Sequence, residues 1–101
     1  MIQSNQPIAY VNGDFVPENE ATVSIFDRGL RFADTVFDTA RTIAHRPYKL
    51  PEHLQRLHRS LTYARMHAGL SADELERITL EVVAHNARFL TAHDDVWVRQ
   101  Y

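Results

Sequence analysis

His53 and Arg56, three positions apart, are the first residues in this sequence whose types and spacing could do chemistry. At that separation they share a helix face. Arg59 lies nearly a turn further on. Near a helix N-terminus an arginine works beside backbone N–H groups and a positive dipole end, a setting that suits a phosphate. Arginine also reads phosphate through two parallel N–H groups, which lysine cannot do. Spacing alone leaves a second reading open: a solvated arginine on the polar face of its helix. Arg41 is the next candidate. It alternates with Phe37 and Thr39 on one strand face, and an arginine in an apolar strand needs an anion or an acceptor. An internal salt bridge would meet that need as well as a ligand. Arg99 alternates with Trp97 and Tyr101, and there a structural pair and a ligand contact stand level.

Several chemistries drop out. The chain has no cysteine, which excludes disulfides, thiolate nucleophiles and thiolate metal sites. It has no Gly-rich phosphate loop and no His-Glu-x-x-His. The six histidines, His45, His53, His58, His67, His85 and His93, show no i, i+4 pairing, so no metal site is expected. Ser24, Ser60 and Ser71 lack a nucleophile-elbow context. Lys49 is the only lysine; the other ten basic residues are arginines. A mechanism that needs a Schiff-base lysine must use Lys49 or a residue outside these 101.

The elements that must position these groups follow from pattern. Ile8–Val11 and Phe15-Val16 read as strands joined at Asn12-Gly13, a pair suited to a type I′ turn because both residues need positive φ. Thr22 to Phe26 reads as a brief extended piece, and Asp27-Arg28-Gly29 as a turn. Thr35 to Ala44 is the best strand, with Val36, Asp38, Ala40 and Thr42 on one face and Phe37, Thr39, Arg41 and Ile43 on the other. His45-Arg46-Pro47 reads as a turn, and Tyr48 to Leu50 as a short returning strand. Pro51 opens a helix where its missing N–H costs nothing. Leu54, Leu57, Leu61 and Ala64 give that helix a buried stripe, and Gly69 is its expected C-terminal stop. Ser71 to Glu74 fits a capping box that starts a second helix, striped by Leu75, Ile78, Val82 and Phe89 and running to about Phe89. Val96 to Tyr101 alternates as a last strand. The expected fold is α+β: a small domain with an antiparallel or mixed sheet and two helices.

Length and charge bound the rest. With 101 residues, 45% apolar and 24% charged, the chain is sized for one globular domain with a modest core. A formal net charge of −2 gives no electrostatic case for nucleic acid or an anionic membrane. No apolar run approaches the roughly 20 residues of a membrane span. Met1 to Pro7 is polar and uncharged, unlike a signal peptide, so a cytoplasmic location is expected. The chain stops within its last apolar strand, and the expectation is the front part of a longer protein.

Three stretches together carry a resemblance: Asp27-Arg28-Gly29, then Phe32-Ala33-Asp34-Thr35-Val36-Phe37-Asp38-Thr39-Ala40-Arg41, then Leu50-Pro51-Glu52-His53-Leu54-Gln55-Arg56-Leu57-His58-Arg59-Ser60. In these, and from the Tyr10-Val11-Asn12-Gly13 hairpin onward, the chain resembles the class IV (fold type IV) aminotransferases. That group includes branched-chain and D-amino-acid aminotransferases, (R)-selective amine transaminases and aminodeoxychorismate lyase. The resemblance implies pyridoxal 5'-phosphate as cofactor, amino acids and 2-oxo acids as substrates, and a homodimer. Residues 1–101 would be the N-terminal small domain, and the catalytic lysine would lie outside the chain, so the 101 residues alone would be inactive. By the same resemblance Arg56 grips the cofactor phosphate and His53 helps to shape that site. Phe37 lines the substrate pocket and Arg41 lies near it. Trp97 and Arg99 line its side-chain end, where the arginine can meet the distal carboxylate of glutamate. Phe32 stands where a pocket tyrosine is common, which loses a hydroxyl contact, and Thr39 stands where branched-chain enzymes often have glycine. Phe-x-Thr-Ala-Arg is also similar to the lyase subgroup. A pyridoxal-phosphate lyase, or a non-catalytic dimerisation or binding module, are therefore the alternative functions.

Overall fold

A computed structural model describes residues 4–101, so the first three residues of the polar N-terminal segment lie outside it. Strands β1 (Ile8–Val11) and β2 (Asp14–Pro17) form an antiparallel hairpin in which Val11 faces Asp14. Asn12 and Gly13 take φ of 50° and 95°, the positive pair that a type I′ turn requires. A short helix, α1 (Arg28–Phe32), follows. A second, three-stranded antiparallel sheet has the order β4-β3-β5, with β3 Asp38–Ile43, β4 Arg46–Pro47 and β5 Trp97–Gln100. Helix α2 (Leu50–Ala64) packs on β3, and α3 (Ala72–Ala87) packs on α2 and on β1. The α+β class is as expected, and both sheets are purely antiparallel.

The core is small. Leu50, Leu54 and Leu57 of α2 are buried together, with Val36, Leu61 and Leu75 packed against them. Asp38, Ala40 and Thr42 are buried on the helix-facing side of β3, while Phe37, Arg41 and Ile43 are exposed on the other. The alternation read from sequence holds over Asp38–Ile43, but the strand is shorter than expected: Thr35 to Phe37 and Ala44 lie outside it.

Local expectations differ in several further places. Thr22 to Phe26 forms no strand. Arg28–Phe32 is helical where a turn was expected. Asp27 caps this helix by accepting from the Gly29 N–H at 2.8 Å, and a Cβ on Gly29 would meet Asp27 Oδ2 at 2.9 Å. The glycine makes room for the cap; it is not the swivel of a turn. The turn after β3 is Ala44-His45 (φ 51° and 65°), so Arg46-Pro47 is already paired strand. Left-handed non-glycine residues disfavour such a turn, but Asp95 offsets this by accepting from the His45 N–H at 3.0 Å, and His45 Nε2 lies 2.9 Å from the Thr91 carbonyl. Tyr48 to Leu50 is not a strand: Lys49 is the N-cap of α2 at φ 55° and Leu50 is helical. Finally, α2 stops at Ala64, with Arg65 in the left-handed C-terminal position (φ 57°), five residues before Gly69 is reached. Ser71 and Glu74 form the expected capping box, and α3 ends at Ala87, two residues short.

Among the described residues no helix is long and apolar enough to cross a membrane.

Candidate active site

Two groups of side chains stand out, one on each face of the three-stranded sheet. On the helix side, Asp38 opens β3 and is only 5% exposed. A carboxylate buried that far needs cations or donors around it. Helix α2 supplies them. Arg56 Nε donates to Asp38 Oδ2, and Arg56 Nη2 donates to Asp38 Oδ1 at 2.8 Å, a side-on fork. His53 Nδ1 lies 2.8 Å from the same Oδ1. Ionised Asp38 accepts only, so His53 Nδ1 carries the proton and donates. The 3.2 Å approach of Arg56 Nη2 to His53 Nδ1 is then a contact between two donors that share an acceptor, not a bond. The Arg56 hydrogen bond is the main cause that draws the Asp38 carboxyl down from its ordinary 3.8 to about 2; burial opposes this, and His53 adds to it.

The fork uses one edge of the Arg56 guanidinium. Among the described residues nothing bonds to Nη1, and the side chain is 58% exposed. The result is an always-charged fork, held in place by Asp38, with its outer edge open. That arrangement suits a phosphate ester: Asp38 neutralises part of the charge but fixes the direction of the remaining donors. His53 Nε2 adds a donor only when the ring is cationic. Arg56 is thus half solvated, as one of the two readings from spacing had it, and also paired with Asp38.

The opposite face of the sheet is uncovered. β3 and β5 pair with Thr39 opposite Arg99 and Arg41 opposite Trp97, so these four project to the same side. Phe37 joins them through Tyr101, with ring centroids 6.3 Å apart. Arg99 Nε donates to Thr39 Oγ1 at 2.9 Å, and its Cζ sits 5.1 Å from the Phe37 ring and 5.9 Å from the Tyr101 ring. Arg41 forms no ion pair among the described residues; its Nε only reaches the Thr42 carbonyl, at 3.5 Å. Ile43 faces Arg46 across the β3–β4 pair, which puts a third arginine on this side. The outward residues of the three strands thus include Arg41, Arg46 and Arg99 and no acid.

The structure therefore gathers Phe37, Arg41, Trp97 and Arg99 on one open face, and His53 and Arg56 on the other side of the same sheet. Phe32 is not joined to either group by a hydrogen bond, ion pair or ring contact among the described residues. It ends α1 with its ring 4.9 Å from the Arg31 guanidinium and 5.3 Å from that of Arg28. Lys49 is exposed at the start of α2, with Nζ 5.5 Å over the Tyr48 ring. Asp38 and Arg46 belong to these groups although the sequence did not mark either as a site residue. The signal for Asp38 was present: an acid between Val36 and Ala40 on the inward strand face, with a His/Arg pair on the next helix to receive it.

A family model described as amino-transferase class IV matches residues 35–99. A Methanocaldococcus jannaschii protein provisionally designated a branched-chain-amino-acid aminotransferase is 36% identical over 77 residues, 76% of this chain and 27% of that protein. The D-alanine aminotransferase of Staphylococcus haemolyticus is 31% identical over the same shares of the two chains. Among solved structures, a T.th. branched-chain amino acid aminotransferase complexed with N-(5'-phosphopyridoxyl)-L-glutamate superposes with a TM-score of 0.78 at 30% identity, over 96% of this chain and 32% of that one. The chain spans about a quarter of the length of the curated relatives it matches. Sequence and fold point the same way, and the chain belongs to the class IV aminotransferase family.

Proposed function

We propose that this chain is the N-terminal small domain of a pyridoxal-phosphate-dependent, homodimeric cytoplasmic aminotransferase. Its reaction moves an amino group between an amino acid, branched-chain or related, and a 2-oxo acid. The observation that carries the reading is the Arg56 guanidinium, clamped along one edge by buried Asp38 and open along the other. Relatives at 30% identity and above, which are aminotransferases by name, supply the reaction class.

In this reading the outer edge of Arg56 binds the cofactor phosphate, and His53 orients Asp38 beneath it. Pyridoxal phosphate, when bound, supplies the electron sink for charge at the substrate Cα. Phe37 and Asp38 are adjacent in sequence and project to opposite faces, so the start of β3 carries one member of each group. Phe37, Trp97 and Arg99 then line the substrate side, with Arg41 beside them, and the arginines of that face favour an acid there. Phe32 belongs to the same pocket by resemblance. The Schiff-base lysine comes from outside these 101 residues, since Lys49 is exposed and serves as the N-cap of α2. The isolated chain supplies binding and orientation but no turnover. Exposed Val23, Ile25, Phe26 and Leu30 supply an apolar surface for the larger domain to cover.

The test is coenzyme affinity in the full-length protein, followed by the visible absorption of the bound cofactor. Arg56→Ala removes a charged two-bond contact and should weaken pyridoxal phosphate binding roughly 10- to 100-fold. Unchanged affinity would remove the basis of the proposal.

A further inference from the structure

We infer that Thr39 is a positioning residue that holds Arg99 ready for the distal carboxylate of an acidic substrate and so sets the preference for acidic over apolar side chains. The inference rests on the pocket reading just given and adds a residue to it.

Arg99 stands on β5, at the edge of the sheet order β4-β3-β5, and its residue is exposed. A long side chain in that position samples many rotamers unless something fixes it. Thr39 lies directly opposite in the strand register, and a β-branched residue is stiff at χ1, so its hydroxyl is fixed by the backbone of β3. Thr39 Oγ1 takes the Arg99 Nε–H at 2.9 Å. The rings of Phe37 and Tyr101 flank the guanidinium at 5.1 and 5.9 Å. Binding through Nε leaves both Nη groups, the edge that forks a carboxylate end-on. No acid on the outward strand face competes for that edge, and Arg41 and Arg46 on the same face add to its attraction for an anion. The ligand class is a dicarboxylic amino acid or its 2-oxo acid, bound by its distal carboxylate. Alanine, valine or glycine at position 39 would all leave Arg99 without its acceptor.

The experiment is steady-state kinetics of the full-length holoenzyme with glutamate and with leucine, on wild type, Thr39→Val, Thr39→Ala, Thr39→Ser and Arg99→Leu. Thr39→Val and Thr39→Ala should each raise the KM for glutamate roughly 10-fold, the loss of one hydrogen bond to a charged group. The KM for leucine should move much less, and kcat less than either. Thr39→Ser keeps the acceptor and should restore most of the glutamate KM. Equal rises for both substrates would assign Thr39 a merely structural role and overturn the inference. If Arg99→Leu raises the glutamate KM and the two Thr39 deletions do not, the pocket reading stands and the role of Thr39 falls. If Arg99→Leu leaves glutamate binding unmoved, the pocket reading fails and takes this inference with it.

Discussion

Asp38 is the residue on which the helix-side cluster depends. Its carboxyl is buried and held ionised by Arg56, so its folded value of about 2 lies below the ordinary 3.8. A depressed carboxyl contributes stability that is fully present above the unfolded value and lost as pH falls through the folded one. The window here runs from about pH 4 down to about pH 2. The difference corresponds to at most about 2 kcal/mol, since the partner guanidinium is itself largely in water. Asp38→Asn should flatten the loss of stability across that window, measured as the urea midpoint at each pH. A mutant curve as steep as that of wild type would show that other carboxylates govern acid unfolding. Loss of the carboxylate should also free Arg56 to wander, so the same variant should bind coenzyme more weakly even though Asp38 would not touch it.

At the scale of elements, the start and stop of α2 matter most because that helix carries His53 and Arg56. Pro51 sits in its first turn, as the sequence suggested. Its end is set by Arg65, a non-glycine residue in the left-handed region at φ 57°. The Arg65 N–H reaches the Leu61 and Thr62 carbonyls, so the cap geometry is satisfied although the residue type resists it. Arg65→Gly should therefore raise stability by about 0.4–1 kcal/mol. Thermal denaturation reads the effect, and a fall in Tm would mean that the Arg65 side chain stabilises the fold in some other way. The hairpin is tied down differently. The Asn86 side chain donates to the Ile8 carbonyl at 2.9 Å and accepts from the Ile8 N–H at 2.8 Å, as a neighbouring strand would. His85 Nε2 adds a contact to the Gln6 carbonyl at 3.0 Å. Neither pairing was readable beforehand, since a helical Asn and His give no sign of which backbone they will meet.

At the scale of the whole molecule, one small core holds both faces of the site in register. Leu54 is 1% exposed at the centre of the cluster that joins α2 to β3 and α3. Leu54→Ala should cost about 2–5 kcal/mol. Against the roughly 5–15 kcal/mol that holds a typical domain together, that is a large share. The urea midpoint measures it, and a cost well under about 1 kcal/mol would show that the cluster repacks around the gap. Because α2 presents Arg56 and β3 presents Thr39 through this same packing, the variant should also lower coenzyme affinity before the protein unfolds.

Much of this was legible in the residues. Strand alternation put Asp38 on one face and Phe37, Thr39 and Arg41 on the other, because side chains alternate with a period of two; which face is buried came from the packing of α2. The Asn12-Gly13 turn and the Ser71–Glu74 capping box were readable because each is settled by a few adjacent residues. The helix α1 and the stop at Arg65 were not. The first is only five residues long, and the second is a left-handed arginine, a residue type that gives no sign of a helix stop. The pairings that make the site were also decided by the tertiary structure. Asp38 with Arg56 spans 18 positions, and Arg99 with Thr39 spans 60. Composition and periodicity say which face a charge occupies, but only the packing of helix on sheet, and of strand beside strand, says which opposite group it finds there.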